Sequence, residues 1–381
     1  MATEPANPTA ATPRMSQRIA TFWERVSDGL AVTQLWQQFQ SEARAGYGHY
    51  SKEIDWDLIE KEKGFRRAWV IARSFFMALL MKLSPARRVL LLVSLACVAV
   101  GRISYSAGEV STSVDLTGLG VIGLFFLLAL ELADRVTMKR DLEIAREIQR
   151  WLVLESPPAV PGHQIAFATR PANTVAGDYY DVLTRAGQPG ERWLLVVADV
   201  AGKSVPAALL MATFQASLQT LSAAGGTLEE LVEGVNRYAS AHSLGGMRFT
   251  TAFVAELDVK AHTLRYVNAG HNPPMLRRAG GGVERLEAGG LPFGISEEAL
   301  YESATVQLAP GDCLVVFTDG LVEAVNDREE EYSDPRLLNL VTHMPVDSAA
   351  DILQRIMFSV DVHVGTARQH DDTTCFILRV Q

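Results

Sequence analysis

Residues 193–214 read WLLVVADVAGKSVPAALLMATF, and how this stretch divides decides the fold. Trp193–Val200 is a continuous apolar run rich in β-branched residues, which suits a strand buried on both faces. Asp199 stands at its end, where a side chain projects into whatever cleft lies beyond the sheet. Ser204 to Ser222 reads as a helix, with Pro206 in the first turn, where a missing N–H costs little. The same plan recurs along the chain. Leu314–Thr318 leads into Asp319 of FTDG (317–320), and Asp371 of HDDTT (370–374) precedes the closing run Thr374–Val380. GDYYD at 177–181 supplies Asp178 and Asp181. Each motif alone is weak, since Asp319-Gly320 is a common turn and Asp371-Asp372 reads equally well as a solvated pair. Strands this apolar belong at a sheet centre, however, and their ends then bring the carboxylates together. Buried like charges are costly unless paired or metal-bound. Ligands that are all oxygen suit a hard divalent ion, Mg²⁺ or Mn²⁺.

The surrounding pattern predicts an α+β fold. His163–Thr169 alternates, and Thr250–Leu257 and Thr263–Asn268 are strands joined across a short turn at 258–262. Thr305–Leu308 and Cys313–Thr318 flank the turn APGD. Thr227 is an N-cap, with Glu229 and Glu230 in the first turn of a helix running to about Ala241. A further helix spans Ser348–Val360. Helices grouped between β-rich halves point to sheets inside and helices outside, and the regular strand–helix alternation of a doubly wound fold is absent.

Composition narrows the function. The 381 residues leave room for two or three domains, and a net charge of −9 argues against a general nucleic-acid binder. Cys97, Cys313 and Cys375 are widely spaced in apolar runs, so they read as buried hydrophobes, not as a disulfide framework or a zinc site. Residues 1–14 form a Pro- and Thr-rich disordered tail without a secretory signal, and 15–84 is a helical region with an amphipathic stripe at Ile19, Phe22, Trp23 and Val26.

Residues 85–134 are expected to form a transmembrane hairpin. Val89–Gly101 and Leu116–Leu130 are uncharged apolar runs, each short of the roughly 18 residues of a secure span. Arg87 and Arg88 before the first run, and Arg135, Lys139 and Arg140 after the second, fit a positive-inside arrangement in the inner membrane with the C-terminal domain in the cytoplasm. Residues 135–157 then form a helical linker. Its stripe of Leu142, Ala145, Ile148 and Leu152 suits either a parallel homodimer contact or packing on the following domain, which begins at 158.

Taken in order, AREIQRWLVLESPP, PANTVAGDYYDV, VVADVAGKSVPAALLMA, RFTTAFVAELD, YVNAGHNPP, LPFGI, PGDCLVVFTDGLVEAVN and QHDDTTCFILRV resemble the PPM-type serine/threonine phosphatases, in their bacterial SpoIIE/RsbU-like branch. The resemblance covers about 145–381. It implies an αββα sandwich with two Mn²⁺ or Mg²⁺ ions that activate a shared water for in-line attack on a phosphoserine or phosphothreonine. By motif, Asp199 matches the bridging carboxylate, the carbonyl of Val200 a further ligand, and Asp178 the acidic residue of the GD motif. Asp319 and Asp371 match the second ion's carboxylates, with Asp372 as the less favoured choice, and Asp181 supports the site from behind. His370 and His271 are candidates for protonating the leaving oxygen. The resemblance also implies a regulatory protein substrate, a STAS-type anti-sigma-factor antagonist, and a switch in the helix after Gly202 driven through 135–154. Where eukaryotic members hold phosphate with an arginine this chain has Asn173-Thr174, and Arg170 and Lys203 are positive residues nearby without being a secure replacement. Two other functions share these residues: a catalytically weak membrane-tethered sensor or scaffold, against which the complete aspartate set argues, and a metal-dependent phosphodiesterase, whose usual His-rich motifs are missing.

Overall fold

Alternation along one strand builds the domain's layers. In the computed structural model, Trp193, Leu195 and Val197 enter a core between two sheets, while Leu194, Val196 and Ala198 turn to the opposite face and pack against helices. A strand with both faces covered must be apolar throughout, which is why 193–200 has no polar alternation before Asp199. The structure describes residues 65–107, 110–185, 190–243, 247–287, 289–345 and 347–381. The expected tail 1–14, and the N-terminal helical region as far as 64, lie outside the described residues.

The described elements, in order, are α1 (Phe65–Lys82), α2 (Pro85–Val100), β1 (Arg102–Ala107), β2 (Val110–Asp115), α3 (Thr117–Leu152), β3 (His163–Arg170), β4 (Tyr179–Thr184), β5 (Arg192–Val200), α4 (Val205–Ala224), α5 (Leu228–Ala241), β6 (Thr250–Asp258), β7 (Thr263–Ala269), β8 (Met275–Arg277), β9 (Val283–Arg285), β10 (Ala304–Gln307), β11 (Cys313–Phe317), α6 (Asp319–Val322), α7 (Asp334–His343), α8 (Ala349–Val364) and β12 (Thr373–Val380). They fall into two compact units, Met1–Asp134 and Arg135–Gln381.

The second unit holds two five-stranded sheets, ordered β10-β7-β6-β5-β4 and β3-β12-β11-β8-β9. Their inner faces interleave through Leu195, Val197, Phe253, Leu257, Leu314, Val316, Phe376 and Leu378. Helices α4 and α5 cover the first sheet with Met211, Leu218, Leu231 and Val235. Helices α7 and α8 cover the second with Leu337, Val341, Ile352 and Ile356. This is the expected αββα sandwich. Thr227 caps α5 through a full capping box, its hydroxyl accepting from Glu230 N at 3.2 Å and its amide donating to Glu230 at 2.9 Å. Strands β10 and β11, read in sequence across APGD as neighbours, lie in different sheets.

In the first unit the expected membrane hairpin is overturned. Among the described residues no helix is long and apolar enough to cross a membrane. Helix α2 has 16 residues, which at 1.5 Å per residue rise only about 24 Å against a hydrocarbon layer of about 30 Å. The apolar start of α3 ends at Glu131, and Arg87, read as an inside anchor, pairs instead with Glu131 at 3.3 Å and Asp134 at 2.6 Å. Between the two helices the chain forms an antiparallel β1–β2 pair, with Arg102 opposite Asp115. The multi-pass inner-membrane placement falls with the hairpin.

Candidate active site

Three loops meet at the carboxylates because two glycines let them. A Cβ on Gly320, just after Asp319, would lie 2.1 Å from the Asp372 carbonyl oxygen and 3.2 Å from Asp371 Cβ. A Cβ on Gly177 would lie 3.0 Å from the Val200 carbonyl oxygen and 3.8 Å from Asp199 Oδ1. Side chains at either place would hold the loops apart. Hydrogen bonds fix the meeting. Both Asp372 oxygens accept backbone amides, from Ala172 at 2.7 Å and from Gly177 at 2.6 Å. Thr318 donates its hydroxyl to Asp178 Oδ2 at 2.9 Å and accepts the Thr374 amide at 3.0 Å. Asp372 therefore ties the GD loop to the C-terminal loop, a different task from gripping an ion.

The electrostatics are strained. Asp178 is 4% exposed, and its Oδ1 is buried without a hydrogen-bond partner. Burial, and next the charge of Asp199, push its carboxyl far above the ordinary range. Burial first, then Asp319, Asp371 and Asp372, push Asp199 up to about 7. Asp319 is raised by burial and then by Asp371, and Asp372 by burial in spite of its two amide donors. Among the described residues, no three Asp, Glu, His or Cys side chains are arranged to hold an ion as they stand. The fit to a cation rests on the bare Asp178 Oδ1 and on repulsion that a divalent ion would relieve.

The remaining predicted residues divide into engaged and peripheral. Lys203 reaches Asp371 Oδ2 at 3.0 Å and the His370 carbonyl at 2.7 Å, so it neutralises the cluster's rim. Arg170 is occupied by Asp361, with both guanidinium nitrogens on both carboxylate oxygens. Gly202 adopts φ 120° with Arg248 Nη1 close against it, and Ser204 follows at φ 63°, so the chain bends sharply between Asp199 and α4. His370 is exposed. Asp181 bonds Tyr179 at 2.6 Å and Gln219 at 3.1 Å, tying β4 to α4, and makes no hydrogen bond to the cluster. Burial drives the Cys313 thiol up to about 12 and raises Cys375 as well, so neither is a nucleophile.

His271 is 4% exposed, and burial lowers its imidazole to about 4. Its Nδ1 lies 3.1 Å from Thr251 Oγ1, and Thr251 faces Asp199 across the β5–β6 ladder. A neutral buried imidazole is a structural group here, not a proton donor to substrate. The sign follows: between about 4 and 6.5 the unfolded chain binds a proton that the folded chain does not, so stability falls as pH falls. The loss reaches about 3 kcal/mol, complete below the lower value. His271→Gln is expected to flatten unfolding free energy against pH in that window. Denaturant titrations at pH 7 and 4.5 giving parallel wild-type and variant slopes would refute it.

Two contacts carried no sequence signal. Gln149, on the last turns of α3, donates to the Ala176 carbonyl at 2.7 Å and accepts from the Ala176 amide at 3.0 Å, clamping the backbone just before Gly177-Asp178. Gln215 of α4 donates to the Leu152 carbonyl at 2.6 Å. The end of α3 is thereby joined both to the GD loop and to the helix following Asp199. A cavity of about 580 Å³ opens between the end of α3 and the GD loop, lined by Arg146, Gln149, Arg150, Asp178 and Tyr180.

Comparison with known proteins agrees with this architecture. Residues 189–381 match the family described as Stage II sporulation protein E, and the chain belongs to that family. It is a PPM-type phosphatase of the SpoIIE/RsbU-like branch. It is 29% identical over 243 residues to phosphoserine phosphatase RsbU of Bacillus subtilis, covering 64% of this chain and 70% of that one. Two solved structures share the fold. The SiaA-PP2C domain of Pseudomonas aeruginosa superposes with TM-score 0.58 at 19% identity, covering 65% of this chain and 99% of that one. The PP2C phosphatase domain with a regulatory fragment of SpoIIE from Bacillus subtilis gives TM-score 0.51 at 19% identity, covering 57% and 63%.

Proposed function

We propose that the chain hydrolyses phosphoserine or phosphothreonine on a regulatory protein, a STAS-type anti-sigma-factor antagonist, with two Mn²⁺ or Mg²⁺ ions held by Asp178, Asp199, the Val200 carbonyl, Asp319 and Asp371. The observation that carries this reading is the bare, buried Asp178 Oδ1 beside Asp199, in a fold whose relative RsbU is named a phosphoserine phosphatase. Bound divalent ions would supply an activated water and offset charge on the phosphoryl oxygens. The chain's own groups do the remainder. Thr318 orients Asp178 through Oδ2 and leaves Oδ1 turned to the site. Asp372 and Gln149 hold the GD loop in register. Lys203 steadies Asp371. To His370, exposed next to Asp371 in the chain, the reading gives delivery of a proton to the departing serine oxygen.

The test is hydrolysis of p-nitrophenyl phosphate and of a phosphoserine peptide. With Mn²⁺ present, both should be cleaved, and chelation by EDTA should remove at least nine-tenths of each activity until Mn²⁺ is restored. Turnover indifferent to EDTA would sink the proposal.

A further inference from the structure

Two cations close to the carboxylates are already spent, Arg170 on Asp361 and Lys203 on Asp371. Two other arginines are not. Arg146 of α3 and Arg368, two residues before His370, line one groove of about 460 Å³ together with Asn173, Thr174 and Ser204. Neither is assigned a hydrogen bond or ion pair to any described residue, and both are exposed. Among the described residues no carboxylate lines the groove, in a chain of net charge −9. All its residues belong to the second unit.

The groove runs along the rim of the carboxylate cluster. Ala172 in its wall donates to Asp372 Oδ1 at 2.7 Å, and Ser204 follows Lys203, which touches Asp371 at 3.0 Å. Arg368 also borders the neighbouring cavity that contains Lys203, His370 and Asp371, and Arg146 borders the one that contains Asp178. A phosphoprotein approaching this site meets five acidic side chains and an acidic protein, so recognition needs a local positive counterpart. Planar guanidinium groups with open donors match carboxylates in forked pairs, and Asn, Thr and Ser beside them add neutral donors.

We infer that this groove is a specificity subsite for an acidic segment of the substrate, Asp or Glu side chains flanking its phosphoserine, with Arg146 and Arg368 as its anchors. The inference rests on the protein-phosphatase reading above for the nature of that substrate. Arg146 and Arg368 select the substrate and do not touch the reacting phosphorus.

The experiment uses the full chain, p-nitrophenyl phosphate and two phosphoserine peptides that differ only in an acidic or a neutral flank. The wild type should favour the acidic peptide by about tenfold in kcat/KM, expressed in KM. Arg146→Gln with Arg368→Gln should bring the two peptides within twofold, leaving kcat on the neutral peptide in place. Arg368→Glu should turn the preference toward the neutral flank. No preference in the wild type, or one that survives the double substitution, overturns the inference. So does an equal loss on p-nitrophenyl phosphate, which would assign the arginines to the phosphoryl group itself. Fluorescence anisotropy with the labelled acidic peptide separates this outcome from failure of the catalytic reading. Salt-sensitive binding that disappears in the double variant upholds the groove even in a chain that hydrolyses nothing, and binding that ignores both substitutions refutes it.

Discussion

Asp199→Asn is expected to remove hydrolysis and, at the same time, to make the metal-free chain harder to unfold. The two effects have one cause. Asp199 lies near the end of β5, second from the edge of its sheet, half-buried, with the charges of Asp319, Asp371 and Asp372 acting on it and the Asp178 carboxyl beside it. Three like charges near a low-dielectric carboxylate destabilise the fold unless a cation intervenes, and an amide of the same shape removes that repulsion. A gain of roughly 1–3 kcal/mol in EDTA is expected. The same substitution removes one of the carboxylates proposed above to hold the divalent ions, so kcat/KM should fall about a thousandfold or more, equivalent to ~4 kcal/mol of transition-state stabilisation. Thermal melts with EDTA and with Mn²⁺ separate the two effects. The wild type should gain stability on adding Mn²⁺, and the variant should gain little. A variant that melts lower than wild type in EDTA, or that keeps its activity, would show that Asp199 is not at the centre of a repulsive cluster.

The layers of this fold were legible because apolar patterning reports burial directly. Trp193–Val200 had to be covered on both sides, and the capping signature at Thr227 and the apolar closing run 374–380 fixed further elements. The carboxylates were legible for the same reason, since Asp199, Asp319 and Asp371 stand beside such runs. What the sequence hid depends on packing between distant loops. Gln149 and Ala176 are separated by a loop and a strand, and nothing in AREIQRW distinguishes a clamp from a solvated helix position. Asp372 resembles a second ligand until its two amide donors are seen. The apolar runs near 89–101 and 116–130 misled because hydropathy counts residues without their partners. Arg87 finds Glu131 and Asp134, and the intervening β1–β2 pair shortens the helix that precedes it. Arg170 looked available for phosphate because Asp361 lies 191 residues away.

Gly320→Ala should be the most damaging single methyl group in the chain. FTDG reads as a turn in which glycine supplies flexibility, yet the structure gives Gly320 no positive φ and a different duty. Its α-carbon stands against the backbone of the C-terminal loop, with the added carbon 2.1 Å from the Asp372 carbonyl oxygen and 3.0 Å from its carbon. Neither partner can yield easily. Thr373 Oγ1 donates to the Gly320 carbonyl at 3.2 Å, Thr318 N donates to the Thr374 carbonyl at 3.1 Å, and Thr374 continues straight into β12. The methyl group must therefore push Asp371 and Asp372 away from Asp319. Overpacking of this kind costs about 2–3 kcal/mol, which lowers the melting temperature of a domain this size by roughly 5–10 °C. Activity should drop further than stability accounts for, at least a hundredfold at temperatures where the variant is still folded, because Asp371 is one of the proposed ligands and Asp372 holds the GD loop beside them. Gly280→Ala is the matched control: its added carbon meets nothing within 4 Å, and both melting temperature and turnover should stay at wild-type values. If Gly320→Ala behaved like that control, the close approach of the FTDG and HDDTT loops would be wrong, and with it the assignment of Asp319 and Asp371 to one ion.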